Sequence, residues 1–197
     1  QDNDSRNYDA SNFNATGTHK VIFSGEGTQT VSFESPSYSG FNDVETQNTD
    51  IKFTTEIRGW TMQRDAVFKN GIVQGIKGSL DLNGHTLEIQ GNFVEGDGNV
   101  LIHKGSLKVT GDYRIQNVTG DGTYGQCSGY IRMENEEDYV SVGGDFVTES
   151  DARTGSSYGS DNALTAGTME LKGNFQQKRV QDNDSRNYDA SNFNATG

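Results

Sequence analysis

Hydrophobic and polar residues alternate along most of the chain in short runs, and Gly, Asn or Asp closes nearly every run. Alternation with a period of two is typical of strands with one buried face, and a helical period is hard to find. The segment 60–68, WTMQRDAVF, is the nearest to a helical turn, but it lies between strands and we interpret it as a strand plus a turn. The pattern therefore predicts an all-β chain.

Four of these runs share one frame, in which alternating apolar positions precede Gly, then Asn or Asp, then an aromatic residue. The four copies are residues 78–93, 105–115, 138–147 and 167–175, and residues 18–33 form a looser fifth copy. Their aromatic residues are Phe93, Tyr113, Phe146 and Phe175, which follow one another at unequal intervals.

Irregularly spaced copies of a short β unit are typical of a β-solenoid, or β-helix. One such unit cannot bury its own apolar side, but units stacked about 4.8 Å apart bury it jointly. We expect Gly to turn each corner with positive φ, Asn or Asp to bond backbone groups, and the aromatic residue to stack inward. Loops 116–129 and 148–166 would absorb the variable spacing.

A β-sandwich is the alternative all-β architecture. Four turn pairs, which often connect hairpin strands, keep it open: Asn70-Gly71, Asn83-Gly84, Asp97-Gly98 and Asp121-Gly122. The repeated Gly-Asn/Asp-aromatic corner and the single proline favour the solenoid and leave its handedness undetermined.

The sequence QDNDSRNYDASNFNATG occurs twice, as residues 1–17 and as residues 181–197. An engineered permutation or a docking segment between separate subunits would explain the duplication. A tandem array in which Gln181 opens a new period explains it best, because neither end resembles a solenoid cap. Residues 1–180 would then be one solenoid unit of about seven coils, roughly 30–40 Å long. Residues 181–197 would begin the next unit, with Phe13 and Phe193 in equivalent core positions.

Three stretches also resemble a known family. They are FNATGTHKVIFSGEGTQTVSFESPSYSGFNDVE (13–45), TGDYRIQNVTGDGTYGQCSGYIRMENEEDYVSVGGDFVTES (110–150) and LTAGTMELKGNFQQK (164–178). They are similar to the tandem repeats of very large secreted or cell-surface proteins of clostridia and related Firmicutes. The resemblance implies an extracellular or cell-surface, repetitive, elongated protein, and it brings no catalytic residues with it.

The net charge of -12 disfavours nucleic acid and anionic membrane surfaces as partners, because no cluster of Lys and Arg accompanies it. The chain has one cysteine, Cys127, so it cannot form an internal disulfide. The sequence contains no apolar run of the length that a membrane crossing needs, and we expect no membrane insertion. The expected partners are adjacent identical repeats or subunits, with glycans or a cell surface as the alternative.

Calcium is the one metal for which the sequence offers ligands. Asp2, Asp4 and Asp9 lie in one polar stretch that recurs at the C-terminal end of the chain. Ca²⁺ binds carboxylate oxygens, but Asn7 and Phe13 stand where a calcium-binding EF-hand loop requires Gly and Glu. We therefore favour a solvated turn over calcium, and His19, His85 and His103 are too scattered to predict a zinc site.

Enzymatic activity is not expected. The acidic run Glu134, Glu136, Glu137 and Asp138 could place two carboxylates on one strand face, as glycoside hydrolysis needs, but it is more typical of a solvated edge. No other catalytic motif is recognised, and we assign no catalytic, cofactor-binding or metal-binding residues.

Exposed aromatic residues would indicate a carbohydrate-binding surface. The candidates for a sugar-stacking platform are Trp60, Tyr38, Tyr124 and Tyr158, although we expect aromatic residues in loops to pack those loops down. The sequence therefore predicts a structural building block of a long extracellular fibre or stalk, whose repeats join by strand stacking. An adhesin or carbohydrate-binding segment of a cell-surface protein is the alternative.

Overall fold

The computed structural model describes residues 13–152, 163–181 and 187–188, and within these ranges the chain is all-β. Its strands are short and follow one another closely. They are β1 (Lys20–Phe23), β2 (Gln29–Val31), β3 (Asp43–Thr46), β4 (Ile51–Phe53), β5 (Ile57–Arg58), β6 (Ala66–Phe68), β7 (Ile76–Lys77), β8 (Ser79–Asp81), β9 (Thr86–Ile89), β10 (Phe93–Val94), β11 (Asn99–Leu101), β12 (Ser106–Val109), β13 (Tyr113–Ile115), β14 (Asn117–Val118), β15 (Tyr124–Gly125), β16 (Tyr130–Arg132), β17 (Tyr139–Val142), β18 (Phe146–Thr148), β19 (Thr168–Leu171), β20 (Phe175–Gln177), β21 (Val180–Gln181) and β22 (Asn187–Tyr188).

Three parallel sheets form the main body. The central sheet has the order β6-β9-β12-β17-β19, the corner sheet β10-β13-β18-β20, and the third sheet β8-β11-β16. The chain visits the three sheets repeatedly in the same order, as in β8, β9, β10 and then β11, β12, β13. We call each such visit a pass, and each pass lays its strands in parallel beside those of the pass before.

The earlier part of the chain follows the same rule in smaller sheets, because the pairs β1-β3, β2-β4 and β5-β7 are also parallel. Antiparallel pairing within the described ranges is confined to β14-β15 and β21-β22. A β-sandwich requires antiparallel sheets, whereas the sheets of the main body are parallel.

Turn pairs in the sequence are poor guides to hairpins in this chain. Asp121-Gly122 does connect the antiparallel strands β14 and β15. Asn83-Gly84, with φ of 48° and 81°, instead links β8 to β9, which belong to different sheets. The segment 60–68 forms a bend followed by β6, so the predicted strand plus turn is confirmed.

The core consists of apolar side chains that stack in register from pass to pass. In the central sheet Leu87 pairs with Leu107, Leu107 with Val140, and Val140 with Met169. The predicted aromatic column is confirmed in the corner sheet, with ring centroids 4.9, 5.2 and 5.7 Å apart along Phe93, Tyr113, Phe146 and Phe175. The repeated frame of the sequence is therefore a repeated position in the fold.

A ladder of side-chain hydrogen bonds runs beside the aromatic column. The backbone N–H of Asp112 donates to Oδ1 of Asn92 (2.9 Å), that of Asp145 to Oδ1 of Asp112 (2.9 Å), and that of Asn174 to Oδ1 of Asp145 (2.8 Å). The predicted bonding of backbone groups by these corner residues is confirmed, and each bond joins two successive passes.

The expected reason for the corner glycines was only partly correct. Gly91 has the positive φ that was predicted, at 138°, but Gly111, Gly144 and Gly173 do not. At these three positions an added Cβ would lie 2.3, 2.4 and 2.7 Å from Oδ1 of the preceding corner residue. Glycine is needed there because the corners of successive passes approach so closely.

Candidate functional sites at the ends and on the faces of the sheets

Both ends of the stack carry partly exposed apolar side chains. Phe13, at the β1 end, is 40% exposed, and Phe175, at the β20 end, is 45% exposed. By contrast, Phe93, Tyr113 and Phe146, which precede Phe175 in the aromatic column, are fully buried. The column thus becomes exposed where the described passes end.

The end strands β1 and β19 have the same burial pattern, in which exposed and half-buried residues alternate. Val21 and Phe23 are the half-buried residues of β1, and Met169 and Leu171 those of β19. Among the described strands, β1 pairs with β3 and β19 pairs with β17, each along one edge. A strand edge of this kind is a template for further pairing.

The length of a pass changes along the chain. In the central sheet the paired positions run from Ala66 to Leu87 and Leu107 in short, nearly equal steps. They continue to Val140 and Met169 in distinctly longer steps. Longer loops therefore connect the passes near the C-terminal end.

A buried carboxyl group lies against the aromatic column. Glu95 is fully buried, and the hydroxyl of Tyr113 donates to its Oε2 at 2.5 Å, whereas its Oε1 has no hydrogen-bond partner. Burial raises the pKa of Glu95 to about 8, against the lowering effect of the Tyr113 hydroxyl and of the nearby backbone N–H groups of Val100 and Tyr130. At neutral pH this carboxyl group is mainly protonated.

Cys127 belongs to the same buried cluster. Its side chain is 4% exposed, and burial raises the pKa of its thiol to about 12, with Glu95 nearby adding to the effect. Burial also holds the pKa of Tyr113 well above its ordinary value, again with a contribution from Glu95. The three groups therefore stay uncharged together at neutral pH.

A polar cleft of about 630 Å³ lies between the β14-β15 hairpin and the neighbouring passes. Lys77 stands in its wall with Nζ 3.1 Å from Oε1 of Glu56 and 3.2 Å from Oδ2 of Asp97. Asn117 donates from Nδ2 to Oδ1 of the same Asp97 at 2.8 Å. The charged groups of the cleft thus engage one another.

A groove of about 390 Å³ lies on the outer face of the central sheet. Its lining includes Lys108 from β12, Tyr139 and Ser141 from β17, and Lys172, which follows β19. The hydroxyl of Tyr139 donates to Oε2 of Glu170 at 2.5 Å, and this bond raises the pKa of Tyr139. The groove therefore combines an aromatic ring with two lysines and with the carboxylate of Glu88, which pairs in register with Lys108.

The candidate calcium ligands Asp2, Asp4 and Asp9 lie outside the described residues, as do Phe193 and Tyr158. Within the described ranges no group of three or more His, Cys, Asp and Glu residues is arranged to hold a metal ion. His85 and His103 are instead paired with separate aspartates, at 3.6 and 3.3 Å.

The four residues of the acidic run differ in burial. Glu136 and Glu137 are exposed and Glu134 lies at the surface beside Arg132, as predicted for a solvated edge, but Asp138 is buried. Asp138 accepts hydrogen bonds from the backbone N–H groups of Lys104 (2.6 Å) and Glu134 (2.7 Å). Its role is to fix two loops, and the sequence analysis did not anticipate it.

The three described members of the proposed aromatic platform do not form one. Trp60 is 5% exposed and packs against Phe41 and Phe68, and the ring of Tyr124 lies under the guanidinium group of Arg114 at 4.7 Å. Tyr38 is 57% exposed. The expectation that such rings pack against the rest of the protein is confirmed for Trp60 and Tyr124.

Neither Glu95 nor the groove was predicted from the sequence. Glu95 had a signal, because the period-two pattern that starts at Phe93 places residue 95 on the same inward face. The groove had none, because its walls come from passes that are joined by the long loops of the chain.

The described part of the chain contains no helix that is long and apolar enough to cross a membrane. Comparison with protein-family models, with curated proteins and with solved structures finds no match to this chain.

Proposed function

We propose that the chain contains one period of a tandem array, wound as a parallel β-solenoid, and that successive periods stack end to end. The array would form the shaft of an extracellular filament or of a surface-protein stalk. The observation that carries the proposal is that the spacing of paired positions and the burial patterns of β1 and β19 match what one more pass would need.

The solenoid part of the proposal is supported by the order of the strands. Three passes, β8-β9-β10, β11-β12-β13 and β16-β17-β18, each add one strand to the third, central and corner sheets in turn, in parallel and in register with the pass before. Continued winding in one direction accounts for this order with a single rule.

The junction is supported by the spacing of paired positions. If Gln181 takes the place of Gln1, the next equivalent of β1 falls at positions 200–203. The step from Met169 to this strand would then be about as long as the steps from Leu107 to Val140 and from Val140 to Met169. The chain therefore reaches the junction with about the length that one more pass needs.

The burial patterns agree as well. Placing the next β1 beside β19 would set its half-buried residues, Val21 and Phe23, on the same face as the half-buried Met169 and Leu171. A further pass beyond β20 would also cover Phe175. Removing apolar surface from water contributes about 25 cal/mol per Å², so this stacking stabilises the array.

The extracellular location rests on the family resemblance of the three quoted stretches. Antibodies raised against this chain should label intact source cells or their surroundings. Labelling only after the cells are made permeable would contradict this part of the proposal.

The mass of the native material in strong denaturant with reducing agent tests whether the array is covalent. We expect a species far above the 21.5 kDa of this chain. A species of about that mass would show that separate subunits associate instead.

Stacking is tested by comparing chains of one and two periods by electron microscopy and small-angle scattering. The described part holds seven strands at the central-sheet position or its upstream continuation, namely β1, β3, β6, β9, β12, β17 and β19. At a strand spacing of about 4.8 Å, each period should lengthen a straight rod by roughly 34 Å. Two bodies joined by a flexible linker would refute end-to-end stacking.

A further inference from the structure

The exposed apolar side chains of this protein collect at the two ends of the stack. Among the described residues, the large apolar side chains that are exposed are Phe13, Ile22, Tyr38 and Phe175. Phe13 and Ile22 belong to the first described pass, residues 13–31, and Tyr38 lies in the loop that follows it. Phe175 belongs to the last described pass, residues 164–177. Exposed apolar surface that is concentrated in this way, and not scattered singly, indicates an interaction site.

The contact that the two ends can make with each other already exists inside the stack. Where two passes meet in the central sheet, their strands pair in parallel and their inward apolar side chains stack. At the ends the same inward positions are only half-buried, namely Met169 and Leu171 on β19 and Val21 and Phe23 on β1. A parallel contact between β19 of one chain and β1 of another therefore repeats the internal contact.

Contact between two like ends does not repeat it. A two-fold axis that joins two copies of β1, with their inward faces on the same side, sets the two strands antiparallel. All the pairs that stack one pass on another in the described ranges are parallel. The geometry of the fold therefore favours contact between opposite ends.

The charges of the end passes also allow this contact. Residues 13–31 contain one ammonium group, that of Lys20, and one carboxylate, that of Glu26. Residues 164–177 likewise contain one of each, in Lys172 and Glu170. Both end passes are thus balanced, although the whole chain has a net charge of -12. The excess negative charge lies elsewhere and opposes contacts through other surfaces more than contacts between these two passes.

We propose that separate copies of this chain dock end to end, with the β1 end of one copy seated on the β20 end of the next. The partner is a second copy of the chain, and the contact covers Phe175 of one copy with the first pass of the other. The inference rests on the parallel winding proposed above but not on a covalent array, because it concerns chains that no peptide bond joins. A filament then lengthens by adding whole chains.

Sedimentation velocity of the unmodified chain over a range from about 1 μM to about 1 mM tests the proposal. We expect the mean mass to rise with concentration past that of two chains of 21.5 kDa each, without levelling off. Phe175→Lys and Phe13→Lys each place an ammonium group at one end, where docking would bury it. Either variant alone should associate at least about tenfold more weakly.

A mixture of the two variants identifies which ends meet. F13K keeps an intact β20 end and F175K an intact β1 end, so an equimolar mixture should form pairs and stop at two chains. Leu101→Lys is the matched control, because it replaces an outward, half-buried apolar residue on β11, which has a strand on each side. This control should associate like the unmodified chain.

A chain that stays monomeric over the whole range would overturn the proposal, as would equal weakening by Leu101→Lys. Pairing of F175K alone would show that two β1 ends meet, which also overturns it. The result is separable from that of the two-period chain described above. A straight two-period rod, together with monomeric single chains, would leave stacking within an array standing and exclude only the docking of separate chains. Circular dichroism of every variant establishes that the fold is retained.

Discussion

Replacing Glu95 with Gln should change how the stability of this protein depends on pH. In the folded chain the pKa of Glu95 is raised from 4.5 to about 8, chiefly by burial. Between these values the folded state holds a proton that the unfolded state releases. Stability contributed by this group is therefore complete below about pH 4.5 and is lost as the pH rises through about 8.

The magnitude follows from the size of the shift. One pKa unit corresponds to about 1.36 kcal/mol, so a shift of about 3.5 units removes about 5 kcal/mol between pH 4.5 and 8. Rearrangement around the ionised group will reduce this value. Even half of it is large compared with the usual total stability of about 5–15 kcal/mol.

The assay is urea unfolding of the wild-type chain and of Glu95→Gln at half-unit steps from pH 5 to 8.5. Gln has the shape of protonated Glu but does not titrate, so the difference between the two chains isolates the carboxyl group. We expect this difference to move in favour of the variant by about 1.4 kcal/mol per pH unit above pH 5. Glu136→Gln, at an exposed position, is the control and should show no such slope.

A flat difference between wild type and Glu95→Gln would refute the reasoning. It would mean that Glu95 is ionised in the folded chain, held by the hydroxyl of Tyr113 and by backbone N–H groups. A flat difference in which the wild type is the more stable chain would show that the charged form is actively stabilised.

Two further outcomes follow from the same structure. Gly144→Ala should destabilise the chain by about 1–3 kcal/mol in thermal or urea unfolding, because the new Cβ would lie 2.4 Å from Oδ1 of Asp112. Gly120→Ala is the control: its new Cβ meets nothing within 4 Å, so the stability should not change. If both glycine variants lose the same stability, close approach is not the cause. Cys127 should resist a thiol reagent at pH 8 until the chain unfolds, since burial raises the pKa of its thiol to about 12; rapid labelling of the native chain would contradict this.

Features that depend on local sequence were predictable. The aromatic column from Phe93 to Phe175 and the bonding role of the corner Asn and Asp residues followed from a frame that repeats in the sequence. Each needs only a period of two and a corner of fixed chemistry.

Features that depend on neighbouring passes were not predictable. The corner glycines, apart from Gly91, are required by atoms of the preceding pass and not by their own φ. Asn83-Gly84 has the sequence of a hairpin turn, but the two strands that it joins pair with strands of other passes and not with each other. The groove beside Tyr139 exists only because long loops between β12, β17 and β19 still return the chain to the same register.

The hydrogen-bond ladder beside the aromatic column has a direction. At every rung the side-chain oxygen belongs to the earlier pass and the backbone N–H to the later one, from Asn92 through Asp112 and Asp145 to Asn174. The two faces of a pass are therefore chemically unlike, one accepting and the other donating. Contact between two faces of the same kind would leave like groups opposed. Any association of two chains through this ladder would consequently be head-to-tail, and would produce an open polymer with distinct ends and not a closed two-fold dimer.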